Sequence, residues 1–221
     1  MKQTCVICGD KASIWTRTKI NDGFLCGSCV KQCSEHLNKF NTLSTDDIRR
    51  HLAYRKENLE SERLQEFSET MSLGDYEIIR IDENNGYWLL ETEKRLVHDN
   101  PDIFSFSQIQ SVKMLSTKEC LNKYDKINNG KKQRIPKRLR RKKNRSPVYG
   151  YWFYIIVTLD HPAFRELRIR VNKYIINEKN RISYRQALGT AVNIKNKLRE
   201  LAEKSRNTEE TTEKTEVENN D

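Results

Sequence analysis

Residues 5–8 have the sequence Cys-Val-Ile-Cys, and residues 26–29 have the sequence Cys-Gly-Ser-Cys. Two Cys-x-x-Cys pairs separated by 17 residues are typical of a structural metal site, because each tight turn directs two thiolates at one ion. The segment between the pairs contains Asp22-Gly23, which favours a turn. We therefore predict a zinc ribbon over residues 1–43, with one structural zinc ion. Its predicted ligands are Cys5, Cys8, Cys26 and Cys29.

The sequence leaves alternatives to this ligand set open. Cys33 and His36 follow the second pair in a predicted short helix, so either one could replace Cys29 as a ligand. A disulfide framework is another alternative, but the N-terminus has no apolar stretch of the kind that a secretory signal peptide requires. Cys120 stands apart from the other cysteines, and we expect it to be a small core residue.

Residues 14–20, Ile-Trp-Thr-Arg-Thr-Lys-Ile, are predicted to form one strand of the ribbon, and Phe24 to begin the returning strand. Strand alternation would place Trp15, Arg17 and Lys19 on one face. A tryptophan between cations can stack on a nucleic-acid base. In so small a unit, however, a lone tryptophan more often covers the core, and we expect that role for Trp15.

Composition narrows the class of protein. The chain has 221 residues, 41 Lys and Arg against 31 Asp and Glu, a formal net charge of +10, and 36% hydrophobic residues. This length allows one large or two small domains with a substantial core. No apolar run approaches the roughly 20 residues that a membrane-spanning helix needs. We expect a cytoplasmic protein with an anionic partner.

The positive charge is concentrated in one stretch, residues 131–145, which contains ten basic and no acidic side chains. Such a run repels itself and is predicted to be an unfolded loop when free, and its cations can neutralise phosphates. With little aromatic content in the run, we expect no sequence specificity. The candidate nucleic-acid-binding residues are Lys131, Lys132, Arg134, Lys137, Arg138, Arg140, Arg141, Lys142, Lys143 and Arg145.

Other roles for the basic run also fit the sequence. It could be a solubilising loop that neutralises residues 206–221, a polar, acidic tail that we predict to be disordered. It could bind an acidic protein, which would make the chain a protein-interaction adaptor. An anionic membrane surface is less favoured, since we find no lipid motif or insertion helix. We expect no small-molecule substrate.

A charged helix is predicted between the ribbon and the strands, over residues 44–72. Ser44 and Asp47 form a capping-box pattern, and no helix breaker follows before Glu69. The apolar stripe of this helix is thin, so we predict a solvated linker that leans on the rest of the protein along one side. The stripe consists of Ile48, Leu52, Leu59 and Phe67.

From residue 73 the apolar period changes to two, which predicts strands. Asn84-Asn85-Gly86 favours a hairpin, and residues 149–159 are apolar enough for a strand buried on both sides. A final helix is predicted from Ser183, with Gln186 completing a capping box and one apolar face. The predicted fold class is α+β, with an antiparallel β domain over residues 73–205 closed by the C-terminal helix. The predicted strands are residues 76–82, 87–91, 103–106, 109–115, 149–159 and 166–171.

In the order of its parts, the chain resembles an uncharacterised bacterial and phage family in which a four-cysteine ribbon precedes a charged helix and a β-rich domain. The second half also looks like a pleckstrin-homology-like (PH-like) domain. The resemblance spans roughly residues 1–200, implies this fold, and carries no assigned activity; the basic run departs from any compact version of it. The matching residues are Cys5 to Gly9, Asp22 to Cys26, Leu43 to Asp46, Phe67, Thr70, Ile81, Asp82 and Ile103 to Phe106.

The sequence favours a protein that is not an enzyme. It contains no glycine-rich phosphate loop, no Gly-x-Ser-x-Gly and no His-Glu-x-x-His. Its four histidines, His36, His51, His98 and His161, are scattered and form no catalytic motif. A zinc bound by four cysteines has no open position for water and is expected to be structural. We therefore predict an accessory or regulatory protein that binds nucleic-acid phosphates.

Overall fold

A computed structural model describes residues 3–37, 39–92, 100–121, 124–128, 131–134 and 148–218. The architecture is α+β, as predicted: a cysteine-rich N-terminal region, short helices, antiparallel sheets, and a C-terminal helix that packs on the sheets. Within these described ranges, no helix has both the length and the apolar character needed to cross a membrane.

The strands of the N-terminal ribbon are shorter than predicted. Strands β1 (Thr18–Lys19) and β2 (Phe24–Leu25) pair antiparallel, and helix α1 (Gly27–Gln32) follows directly. The chain turns at residues 14–16 instead of extending, since the N–H groups of Thr16 and Arg17 both donate to the carbonyl oxygen of Ser13. The turn projects Trp15 outward, where it is 94% exposed, so our expectation of a core role for this residue is wrong.

Helix α2 (Thr45–Glu60) begins as predicted, with Ser44 and Asp47 forming a reciprocal capping box. The helix ends at Ser61, whose extended backbone separates it from the short helix α3 (Glu62–Glu66). The N–H and the hydroxyl of Ser61 both donate to the carbonyl oxygen of Asn58, which is left without a helical partner. The predicted continuous linker helix is therefore interrupted.

The first sheet consists of four antiparallel strands in the order β3-β4-β5-β6. Asp82 pairs with Tyr87 across the predicted hairpin, and Gly86 has a φ of +76°, which favours glycine. The strands are β3 (Met71–Leu73), β4 (Glu77–Asp82), β5 (Tyr87–Thr92) and β6 (Ile103–Ser105).

The second sheet is built around β10 (Tyr149–Leu159). Strand β7 (Ile109–Cys120) pairs with one side of β10, while β11 (Glu166–Arg170) and β12 (Ile176–Asn177) pair with the other. From Trp152 onward, β10 alternates between buried and half-buried residues, so it is not buried on both sides as we predicted. One side of this sheet faces the core, and the other side is open.

Part of the predicted basic loop is a strand. Residues Lys131–Arg134 form β9, which pairs antiparallel with β8 (Tyr124–Asn128) in a register that joins Asn128 to Lys131. The two residues between these strands are Asn129-Gly130 in the sequence, a dipeptide that favours hairpins and that our strand prediction overlooked. Residues 135–147 lie outside the described residues.

Helix α4 spans Arg181–Glu218 and therefore begins before the predicted start at Ser183. The side chain of Asn180 accepts from the Ser183 N–H, in place of the predicted capping box. The helix also continues through the segment that we predicted to be disordered from residue 206. Residues 206–218 contain no glycine or proline, so no backbone feature ends the helix there.

The two sheets and α4 enclose one core. Trp88, Phe104 and Phe153 are its largest fully buried side chains. The buried face of α4 includes most of the predicted apolar stripe. A smaller cluster surrounds the cysteines, and Leu37 packs against both clusters, so the ribbon is held against the β domain. The buried residues of α4 are Ala187, Ala191, Ile194, Leu198, Leu201 and Ala202.

Candidate metal centre

The structure brings the four predicted ligands together. The Sγ atoms of Cys5, Cys8, Cys26 and Cys29 all lie within 4.8 Å of one another. Two of these separations, Cys5 to Cys29 and Cys8 to Cys26, are 3.7 and 3.6 Å. Four thiolates around a zinc ion at about 2.3 Å form a tetrahedron with edges of about 3.8 Å. The cluster could therefore hold a metal ion, and its donor set is the one that structural zinc sites use.

Backbone geometry holds each pair in place. In the first pair, the Gly9 N–H donates to the Cys5 carbonyl oxygen at 2.9 Å, and Gly9 has a φ of +78°. This left-handed conformation favours glycine and closes the turn. In the second pair, Cys26 caps α1, and its Sγ lies 3.5 Å from the Cys29 backbone nitrogen, which donates to it.

The thiols differ in acidity within the cluster. Burial raises the pKa of Cys5, but hydrogen bonds from the backbone around Cys8 and Cys26 outweigh it and lower the pKa to about 6. Burial and the neighbouring thiols raise the pKa of Cys29. Of Cys5, Cys8 and Cys29, Cys5 is therefore the most acidic. Any metal must displace protons from the remaining thiols, so metal binding should weaken in acid.

The alternative ligands lie elsewhere. Cys33 is buried and donates from its Sγ to the Cys29 carbonyl oxygen at 3.5 Å, and burial raises its pKa to about 11. The Nε2 atom of His36 lies 3.0 Å from the carbonyl oxygen of Leu90, in the β domain. Neither residue joins the sulfur cluster. Cys120, which we expected in the core, lies near the end of β7 and is half-buried.

A buried polar network lies next to the metal centre, and sequence reasoning missed it. The Ser34 N–H donates to Nε2 of His51 at 3.0 Å, and the Ser34 hydroxyl donates to the carboxylate of Asp102. Arg55 forms an ion pair with the same carboxylate at 2.8 Å. Asn58 donates to the Pro101 carbonyl oxygen at 2.7 Å. The network ties the ribbon and α2 to the segment that precedes β6.

Because α2 contributes side chains to this network, the buried side of the helix is largely polar. Ile48, His51 and Asn58 are its buried residues, whereas Leu59, part of the predicted apolar stripe, is 50% exposed. The ring of His51 packs edge-on against Phe164 at 5.3 Å between centroids. The helix is thus a structural part of the interface between the ribbon and the β domain, and it does not act only as a solvated linker.

We expect Asp102→Ala to destabilise the protein by about 3–5 kcal/mol, because the substitution leaves a largely buried Arg55 without its counter-ion. The side chains of Asp102 and Arg55 are only 3% and 17% exposed. Urea unfolding measures the effect. Asp46→Ala is the matched control, since it breaks the exposed ion pair between Asp46 and Arg49 in α2, the helix that also carries Arg55. This control should change the stability far less. Equal losses in the two variants would contradict a structural role for the network.

Acid should destabilise the protein through His51. Burial, which outweighs the attraction of Asp102, lowers the pKa of His51 to about 4, while Arg55 and His161 also disfavour its charged form. An unfolded histidine has a pKa of about 6.5, so between these two values the unfolded state binds a proton that the folded state does not. The contribution of neutral His51 to the stability is therefore complete above about pH 6.5 and falls by about 3 kcal/mol toward pH 4.

Urea unfolding of the wild type and of His51→Gln at pH 7, 6, 5 and 4 tests this prediction. Acid also displaces any bound metal, but that contribution is common to both proteins. We expect the variant to be less stable at pH 7 and the difference between the two proteins to shrink by about 3 kcal/mol at pH 4. A constant difference would show that His51 is not held neutral in the folded state.

The predicted nucleic-acid-binding residues are only partly described. Lys131, Lys132 and Arg134 lie in β9. The other candidates lie outside the described residues; they are Lys137, Arg138, Arg140, Arg141, Lys142, Lys143 and Arg145. In the ribbon, Ile14 and Trp15 are 74% and 94% exposed, which leaves an apolar protrusion that the sequence alone did not suggest.

Comparison with known proteins gives one match. The model of a domain of unknown function, DUF4428, matches residues 4–51, which include the four clustered cysteines and end at His51. The match covers less than a quarter of the chain. No curated protein and no solved structure matches. The resemblance to a bacterial and phage family and the PH-like layout therefore stay predictions.

Proposed function

We propose that this chain is a non-enzymatic accessory or regulatory protein of the cytoplasm that binds nucleic acid through phosphate contacts. One structural zinc ion stabilises its ribbon. The basic run of residues 131–145 supplies the contacts, since it has ten cations within fifteen residues and no acidic residue among them. That run is the observation on which the proposal depends.

The position of the run within the fold supports this role. Its first four residues form β9, and β10 begins at Tyr149, shortly after the run ends. A segment joined to strands at both ends cannot extend far from them, which would keep its cations close together. Lysine and arginine side chains there would neutralise phosphates and release counterions, which favours binding without regard to sequence.

In this proposal the zinc ion is structural. Four thiolates fill a tetrahedral coordination sphere and leave no position for water or substrate. The ion would hold together a ribbon whose own core is small, with Ile20 and Leu25 as fully buried residues between the two pairs. The second half, with its two antiparallel sheets and C-terminal helix, supports a PH-like layout.

A variant of the basic run tests the proposal. The substitutions replace Arg138, Arg140, Arg141, Lys142 and Lys143 by glutamine. In a gel-shift assay with random-sequence DNA and RNA, we expect the wild type to bind and the variant to lose most of its affinity. Unchanged binding by the variant would contradict a role for these residues, and no binding by the wild type would contradict the function itself.

A protein-interaction adaptor is the second candidate, and the exposed Ile14 and Trp15 favour it. An exposed tryptophan with an exposed apolar neighbour is a common anchor in protein interfaces. Affinity purification with and without nuclease treatment separates the two functions. Partners that are lost after nuclease treatment support nucleic-acid binding, whereas partners that are retained and require Trp15 support the adaptor.

A further inference from the structure

The open side of the second sheet carries aromatic and cationic side chains in adjacent rows. Strand alternation separates this side from the core, because Phe153 and Ile155 are buried while the residues beside them are not. The pairing of β10 with β7 and β11 places three rows together on it. We call this side the outer face; it is formed by Ser111, Lys113, Leu115 and Thr117 of β7, Trp152, Tyr154, Ile156 and Thr158 of β10, and Glu166, Arg168 and Arg170 of β11.

The outer face is accessible. Leu115 is 41% exposed, and Arg168 is exposed as well. Trp152 and Tyr154 are half-buried, so neither residue is fully enclosed by the fold. Helix α4 packs on the opposite side of the sheet, where Tyr184 of the helix contacts Phe153 edge-on at 5.3 Å. The open aromatic rings therefore do not belong to the core that α4 closes.

Cations lie over the rings. The guanidinium of Arg168 lies 3.9 Å from the ring centroid of Tyr154. The guanidinium of Arg170 lies 5.3 Å from the ring of Trp152 and 4.0 Å from that of Tyr76. The guanidinium of Arg168 is exposed, so its second face can stack on another flat group, whereas the guanidinium of Arg170 lies close to two rings and its Nε atom is buried. Each pair therefore stacks a guanidinium group on an aromatic ring and adds positive charge to the outer face.

We propose that the outer face binds single-stranded nucleic acid, with unpaired bases stacking on the rings and on the Arg168 guanidinium and phosphates meeting the exposed Lys113 and Arg168. This inference shares with the proposed function the need for a nucleic-acid partner, but it depends on other residues. Flat aromatic and guanidinium groups with nearby cations are the combination that single-strand binding surfaces use.

The spacing of the rings favours a single strand over a duplex. Trp152 and Tyr154 are two residues apart on one strand, so their side chains are separated by about 6.8 Å. Stacked bases in a duplex are about 3.4 Å apart, and their flat faces are covered by their neighbours. Only a strand whose bases are unstacked can place successive bases on these two rings.

Fluorescence anisotropy with labelled dT20 and a 20-base-pair duplex tests the proposal on the full chain. Tyr154→Leu should weaken binding of dT20 by about 5- to 100-fold, the range for the loss of one stacked base. Arg168→Lys keeps the charge but removes the planar group, and it should weaken binding by about 2- to 5-fold. The duplex should bind more weakly than dT20 and respond little to either substitution.

The matched controls are Tyr174→Leu and Arg49→Lys, which change the same residue types at exposed positions away from the outer face. Both controls should bind dT20 as the wild type does, and unfolding curves show which variants remain folded. Wild-type affinity in the folded Tyr154→Leu and Arg168→Lys variants would overturn the inference. Equal affinity for the duplex, or a dimer that Tyr154→Leu dissociates, would overturn it too.

The basic-run variant separates this inference from the proposed function. If neutralising the basic run abolishes binding while the outer-face variants bind normally, the inference fails and the proposed function stands. If the outer-face variants lose affinity and the basic-run variant does not, the inference stands and the role given to residues 131–145 fails. If the wild type binds neither dT20 nor the duplex, both fail.

Discussion

Cys26→Ser is expected to abolish metal binding and unfold the ribbon. Zinc bound in small zinc-finger domains contributes an apparent free energy of roughly 10–16 kcal/mol at pH 7, far more than so small a core could supply. The substitution removes one predicted ligand, while the serine side chain can still cap α1, so the expected effect comes from loss of the metal. The wild-type protein should contain one zinc ion per chain, and a strong chelator should reproduce the effect of the substitution.

Elemental analysis measures the bound zinc, and hydrogen exchange measures the unfolding of the ribbon. We expect loss of the metal to increase exchange in α1 and at Ser34, and then in α2, because Ser34 bonds to both His51 and Asp102. Cys120→Ser is the control, since Cys120 lies outside the sulfur cluster. This variant should retain the metal. A ribbon that stays folded and protected without metal would refute the assignment.

Nucleic-acid affinity is expected to fall steeply with salt. If six to ten phosphates are contacted, the binding constant should drop by about 10³- to 10⁵-fold between 50 and 200 mM salt. Replacing five cations of the basic run should reduce the slope of log K against log salt by about 4 to 5 for a duplex, because each lost contact removes one released counterion. Titrations at four salt concentrations give the slope.

A second fivefold variant controls for net charge. It replaces exposed cations outside the basic run by glutamine; these are Lys11, Lys31, Arg49, Lys56 and Lys179. Both variants lose the same charge, so a general electrostatic attraction would flatten both slopes equally. Direct phosphate contacts by the basic run predict a much larger change in the first variant. Equal slopes in the two variants would contradict such contacts.

The elements that sequence reasoning placed correctly are governed by short-range rules. The two Cys-x-x-Cys pairs, the Ser44 capping box and the hairpin at Asn84 to Gly86 each depend on residues only a few positions apart. The apolar face of α4 follows in the same way from helical spacing. Each of these features follows from the spacing of residues that are at most four positions apart, so local sequence determines it.

The errors arose where distant residues compete with local preference. Trp15 was expected in the core, but the ribbon fills its core with Ile20, Leu25 and the cysteines, and residues 14–16 form an exposed turn. The linker helix was predicted to be solvated and to contact the rest of the protein only along one thin apolar stripe, because most of its residues are polar. One largely polar side of the helix is nevertheless buried, since Asp102 and its neighbours supply partners for Arg55 and Asn58.

By itself, the sequence determined the α+β class, the cysteine pairs that come together and the concentration of positive charge in residues 131–145. Only the tertiary structure decided that Ser34 meets Asp102, 68 positions away, and that aromatic rings and cations of three strands share the outer face. A buried polar group is stable only with a hydrogen-bonding partner, and that partner can come from any part of the chain. Strand register likewise depends on packing between segments, so no local pattern specifies which side chains become neighbours.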